Sequence, residues 1–140
     1  MQTQRNIFLL SGLFVIAGAM HFVIPGQYMG IMPAWIPYPL AMVYLSGMAE
    51  MAGGLGLLAP QLRKAAAMGL IALLVAVFPA NIQMLANAIH DGASALYIAL
   101  LWLRLPLQPL LIVWIYKSAN PRFARPHGLD GLNGLTDQID

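Results

Sequence analysis

Two charged residues stand where charge is costly. Glu50 is in the middle of the apolar run Leu40–Ala59, and Arg104 is near the middle of Ala95–Tyr116. If both runs cross a bilayer as helices, rising about 1.5 Å per residue, the two charges lie about 15 Å and about 14 Å from the same outer end. An isolated charge at that depth costs at least about 2.5–3.5 kcal/mol. Opposite charges at equal depth offset one another. The sequence therefore predicts that Glu50 and Arg104 face each other inside a bundle, directly or through water.

Polar and small residues recur around them at helical spacing. Ser46, Glu50 and Gly54 share one face, and Gly47, Gly53 and Gly56 lie close by, where small residues let a neighbouring helix approach. Tyr97, Leu101, Arg104, Gln108 and Leu111 form a second stripe, and Ser11, Phe14, Gly18 and His21 a third. Asn81 and Gln83 are two positions apart and cannot face the same way; Asn81 is assigned to the interior. Pro79, Pro106 and Pro109 leave the carbonyls of Val75, Trp102 and Leu105 without their helical donors, which Arg104 or Gln108 can replace. The expected ligand-binding set is Glu50, Arg104, His21, Asn81, Gln108, Ser46 and Trp35, forming a polar pocket in the outer half of the bundle. No residue is assigned a catalytic role.

The elements that hold these residues follow from composition. The chain has 140 residues, 60% hydrophobic and 9% charged. An ordinary soluble domain is about a quarter charged. So few charges cannot cover a water-facing surface, which excludes a soluble globular enzyme and a disordered chain. A bilayer core needs roughly 20 apolar residues in a helix. Four segments qualify, about 7–24, 40–59, 65–85 and 95–116, and backbone in lipid must satisfy its own hydrogen bonds, so all four are read as helices. The fold class is all-α, a four-helix membrane bundle over residues 1–117. The first segment imitates a cleavable signal, with Arg5, an apolar run and Ala17-Gly18-Ala19, but its apolar character continues through Ile24 and it is read as a span.

With four spans, both termini and the second loop share a side. That side carries Arg5, Arg63, Lys64, Lys117, Arg122 and Arg125, six basic residues, against none in Pro25–Pro39 and Ala86–Ser94. The bias places both termini in the cytoplasm of a cell whose inner membrane holds the protein. Pro25, Pro33, Pro37 and Pro39 bar a long helix between the first two spans, and Tyr28, Trp35 and Tyr38 suit the lipid–water interface. That segment reads equally as a lid over the bundle or as an anchored loop. Residues 118–140 read as a mobile polar tail.

There is no cysteine, which removes disulfides, Cys-ligated metal and thiol redox chemistry. His21 and Glu50 alone do not make a metal site. A bis-histidine haem would need His90, which lies outside the spans, so no metal or haem is expected. His90-Asp91 reads as a solvated turn, and the methionines around the second span as packing. The scattered basic residues form no nucleic-acid footprint.

Four stretches carry a family resemblance. They are His21-Phe22 with Pro25; VYLSGMAEMAGGLGLLAP, Val43–Pro60; Arg63 followed by GLIALLVAVFPANI, Gly69–Ile82; and WLRLPLQPLLIVW, Trp102–Trp114. Together they resemble the DoxX-like family of small four-helix membrane proteins over nearly the whole chain before the tail. The glutamate of SGMAE and the arginine of LRLPLQ are its most specific elements. The resemblance implies the four-helix architecture, association with quinone-linked membrane redox complexes, and attention to Glu50, Arg104, Gln108, Asn81 and His21. Distant animal relatives act as receptor-assembly chaperones.

Three functions stay open at this point. The first is a quinone- or lipophile-binding subunit of a membrane redox system, an accessory to an oxidoreductase, with quinone as the cofactor. The second is an assembly partner of another membrane protein, or a homodimer. The third is a small proton-coupled carrier, although no internal repeat is visible.

Overall fold

The computed structural model describes residues 2–120. They form five helices: α1 (Gln2–Val23), α2 (Pro25–Gly30), α3 (Pro39–Leu58), α4 (Arg63–His90) and α5 (Ala95–Ala119). There is no strand among the described residues. All but the short α2 are long and apolar enough to cross a membrane. The all-α class and the four expected spans are therefore present.

Three boundaries differ from expectation, the first being that α1 already starts at Gln2. The third span runs on to His90, because Leu85 and Ala88 continue the buried stripe against α5. Only Asp91–Ser94 remain as a turn, with Ser94 Oγ accepting from the Tyr97 N–H to start α5. The fourth span runs on to Ala119, and Ser118 and Ala119 are buried, so the first two residues assigned to the tail belong to the bundle. The rest of that tail lies outside the described residues.

The long helices alternate in direction. We call the end carrying α2 and the α4–α5 turn the upper end; Gln2 and Ala119 lie at the lower end. Each long helix packs on the next, α1 on α3, α3 on α4 and α4 on α5, while α1 and α5 touch more sparingly. The α1–α3 pair is the closest. A Cβ on Gly18 would sit 2.5 Å from the Gly47 carbonyl oxygen, and one on Gly47 would sit 2.8 Å from the Gly18 carbonyl oxygen. Lower down, a Cβ on Gly54 would lie 3.0 Å from the Ser11 carbonyl oxygen. The glycines thus let backbone lie on backbone, as association in lipid favours.

The apolar core is divided. In the lower half it joins all four long helices through Ile7, Leu10, Phe14, Leu57, Leu70, Leu74, Ile115 and Ala119. In the upper half a second cluster, Leu85, Ala88 and Leu101, joins only α4 and α5. At the lower turn, Arg63 Nε donates to the Leu57 carbonyl at 2.9 Å and closes the end of α3. At the upper end, prolines at the first positions of α2 and α3 start those helices without needing an N–H partner.

Candidate functional site

Above the lower core, the space between the four long helices is a cavity of about 240 Å³. Its apolar wall includes Ala17, Val43, Leu74, Val77, Leu107 and Leu111, and its polar groups are His21, Tyr28, Ser46, Glu50, Asn81, Arg104 and Gln108. Six of the seven expected site residues therefore line one space. The seventh, Trp35, does not. It is 74% exposed and absent from the cavity wall, because its run of prolines turns the segment outward after Met32.

Glu50 is 8% exposed, and its Oε2 has no hydrogen-bond partner. His21 Nδ1 is 3.8 Å from that oxygen. No ion pair joins Glu50 to Arg104 among the described residues. Of the two arrangements expected from depth, the direct pair is not formed; Glu50 and Arg104 line the same cavity from α3 and α5. The reason is geometric. A helical side chain leans toward the N-terminus of its own helix. On the antiparallel α1 and α3, His21 leans down and Glu50 leans up, and they converge beside the Gly18–Gly47 crossing. α3 and α5 sit diagonally across the bundle and hardly pack on one another. Arg104 leans up along α5, and its Nη1 reaches Met84 Sδ at 3.8 Å.

His21 Nδ1 is 3.0 Å from the Ala17 carbonyl oxygen. A carbonyl only accepts, so Nδ1 carries the hydrogen and, in the neutral ring, Nε2 keeps a lone pair. Tyr28 of α2 stacks on the His21 ring at a centroid distance of 3.9 Å and 21° between planes. Burial raises the Tyr28 hydroxyl above the ordinary phenol range, the negative charge of Glu50 adds to this, and Arg104 opposes it. Tyr28 therefore remains a neutral donor at the cavity roof.

The opposite wall is a chain of amides. Asn81 Nδ2 donates to Gln108 Oε1 at 2.6 Å, and Gln108 Nε2 donates to the Leu74 carbonyl. Of the carbonyls that the prolines free, that of Val75 is the one on α4, which Gln108 reaches. Gln108 meets the carbonyl one residue earlier, because Leu74 is on the buried face while Val75 is exposed. Ser46 Oγ donates to the Val43 carbonyl at 2.9 Å, a bond within its own helix. Asn81→Ala should leave the Gln108 carbonyl oxygen buried without a donor, at a cost of about 1–3 kcal/mol. Thermal unfolding in detergent should show the Asn81→Ala/Gln108→Leu double variant losing less than the sum of the two single losses. Strict additivity would mean that the bond does not couple α4 to α5.

The sequence reading missed how the roof is held. Gln83 Nε2 donates to Asn87 Oδ1 at 2.7 Å, and Asn87 Nδ2 donates to the Gly30 carbonyl at 3.2 Å, tying the end of α2 to α4. Gln83 does not line the cavity, and its spacing of four from Asn87 is the signal for this bond. Tyr28, Ile31 and Met32 cover the cavity, so the first part of the proline-rich segment is the lid, while beyond the buried Pro33 its second part is exposed apart from the half-buried Ile36. His90 pairs with Asp91 at 3.2 Å on the surface. No group of three or more metal-ligating side chains converges among the described residues.

A family model described as a domain of unknown function (DUF8561) matches residues 10–119, which take in every group lining the cavity. No curated protein and no solved structure matches the chain.

Proposed function

We propose a function from the cavity itself, since the chain belongs to a family described as a domain of unknown function (DUF8561): it binds a membrane-dissolved molecule with a polar ring head, of the quinone class, as an accessory subunit of a membrane redox system. The observation that carries this is Glu50, a buried carboxylate with an unpartnered oxygen on the wall of a mainly apolar cavity that Arg104 also lines. A quinone is an apolar ring with two opposed oxygens. The Arg104 guanidinium and the Gln108 and Asn81 amides supply donors for a carbonyl. Glu50 and the His21 ring accept from a hydroxyl in the reduced form. Ligand pockets usually span about 300–1,000 Å³. A cavity of about 240 Å³ suits a single ring and leaves no room for a lipid tail. The DoxX-like resemblance of the same residues supports this reading.

The membrane setting is part of the proposal. Arg5, Arg63, Lys64 and Lys117 all belong to the lower end, and the segments at the upper end have no Lys or Arg. By the positive-inside rule the lower end is cytoplasmic, the membrane is the cytoplasmic one, and the cavity occupies the outer leaflet. Partners from another membrane complex would meet the exposed apolar faces of α4 and α5.

Gentle extraction followed by mass spectrometry of co-purified lipophiles tests the proposal. The expected result is a quinone retained near one per chain by the native protein and lost in Arg104→Leu. Retention of phospholipid alone, unchanged by the substitution, would overturn it.

A further inference from the structure

The cavity must have a mouth, and the residues around it say where. Of all its lining residues only Arg104 and Leu107 are exposed, Leu107 by 51%. Both are on α5, one turn apart. The α4 side of α5 is closed at this level by Leu101 packed with Leu85 and Ala88, and by the Asn81–Gln108 bond. The α1–α3 seam is closed by the glycine crossing and, above it, by Phe22 stacked on Tyr44 at 5.1 Å. The α3–α4 seam is closed below the cavity where Gly53 meets Leu70 and Gly56 meets Ala66, and at the level of the cavity every α3 and α4 residue of its wall is buried or half-buried. That leaves the seam between α1 and α5.

The surface of α5 records the opening of that seam. Ser118, Ile115, Leu111, Leu107, Arg104 and Leu100 follow one another at steps of three or four and share a face. Toward the lower end this stripe is covered: Ser118 and Ile115 are buried and Leu111 half-buried, with Ile115 in the same cluster as Ile7, Leu10 and Phe14 of α1. Toward the upper end it is uncovered, with Leu100 54% exposed. On the facing side α1 offers only the small Ala17 to the cavity wall below His21. The roof does not close the gap either. α2 packs on α1 and α3 and is tied to α4, and it makes no comparable contact with α5.

We propose that the cavity opens sideways into the membrane between the upper halves of α1 and α5, and that its ligand is a tailed lipophile whose ring sits inside while its tail leaves across Leu107 into the acyl chains. This rests on the ligand-pocket reading above. It adds the route and the substrate class: a molecule confined to the membrane, arriving laterally, and not a water-borne one arriving past α2. Arg104 stands in the mouth outside ion-pair distance of any carboxyl group among the described residues, so every arriving head passes a cation that favours an oxygen acceptor.

Because the chain has no cysteine, an introduced one is a unique reporter. Three full-length variants in proteoliposomes are labelled with a membrane-permeant maleimide, with and without a decyl-tailed benzoquinone as the probe. Ser46→Cys reports the cavity, Leu107→Cys the proposed mouth, and Leu110→Cys the far face of α5, where Leu110 is 63% exposed. The expected result is that the probe slows labelling roughly tenfold at 46 and at 107 and leaves 110 unchanged. Protection at 46 without protection at 107 would overturn the lateral mouth while leaving the pocket. Equal protection at 107 and 110 would also overturn it, as partition of the probe into bulk lipid. No protection at any position would remove the pocket reading itself.

Discussion

Gly47→Leu should separate α1 from α3 and abolish ligand binding. A Cβ at this position would lie 2.7 Å from the His21 Cβ and 2.8 Å from the Gly18 carbonyl oxygen, and the second of these is backbone that no rotamer change can move. Overpacking of a well-packed contact costs about 1–3 kcal/mol, and here the upper figure applies, because relief requires one whole helix to shift. The shift also parts His21 from Glu50, since both project from the helices that the glycines hold together. Gly12 is the internal control. It is on α1, exposed, and a Cβ there would meet nothing within 4 Å. Thermal unfolding in detergent should therefore show a large fall for Gly47→Leu and almost none for Gly12→Leu. Helix propensity favours leucine over glycine at both positions, so equal falls would mean that the added side chain itself, and not the crossing, sets the effect.

Glu50→Leu should do the opposite to stability and the same to binding. A carboxylate with an unpartnered buried oxygen is a standing cost, and an unsatisfied buried polar group is worth about 1–3 kcal/mol. Replacing a buried charge with a hydrocarbon of similar size is often neutral or stabilising. The variant should melt at or above the native temperature, while its affinity for a tailed benzoquinone falls by roughly tenfold or more, about 1.4 kcal/mol per decade. A structural clamp would behave otherwise: if Glu50 held the bundle together through His21 or Arg104, its loss would lower the melting temperature. Glu50→Gln separates charge from shape, since it keeps the volume and an acceptor oxygen. It should bind more weakly than the native chain and more tightly than Glu50→Leu.

Much of this arrangement is legible in the residues. Hydropathy marks the four spans, and the four-residue steps Ser46–Glu50–Gly54 and Arg104–Gln108 place the polar groups on inward faces. The glycines of the second span announce a close approach, which proves to be with Gly18 and Ser11 of α1 at Gly47 and Gly54, and with Leu70 and Ala66 of α4 at Gly53 and Gly56. The partner of Glu50 is not legible by counting residues from a helix end, because a count places each charge at the level of its Cα. Side chains leaning toward their N-termini bring His21 down and Glu50 up, while the diagonal placement of α3 and α5 leaves Arg104 nearer to Met84 of α4. The lid is half legible. Aromatic residues among prolines signal an interface, but not that Tyr28 turns inward onto His21 while Trp35 and Tyr38 turn out. The tie from Asn87 to Gly30 depends on the chain's path over 57 positions, and no local pattern announces it. The lower limit of the bundle also escapes a hydropathy window, because Ser118 reads as polar and is nevertheless buried.

The most direct measurement is labelling of the native protein in membranes with dicyclohexylcarbodiimide, a lipid-soluble reagent that adds to neutral carboxyl groups. Of the five acidic residues, Glu50 falls in one of the four long apolar segments of the sequence; the others are Asp91, Asp130, Asp137 and Asp140. A carboxyl group on the wall of a cavity open to lipid should take up one equivalent, mapped by peptide mass to Glu50, and a tailed benzoquinone should suppress the reaction. A Glu50 that stays unmodified at every pH the protein tolerates, or that reacts equally with the quinone present, would contradict the account.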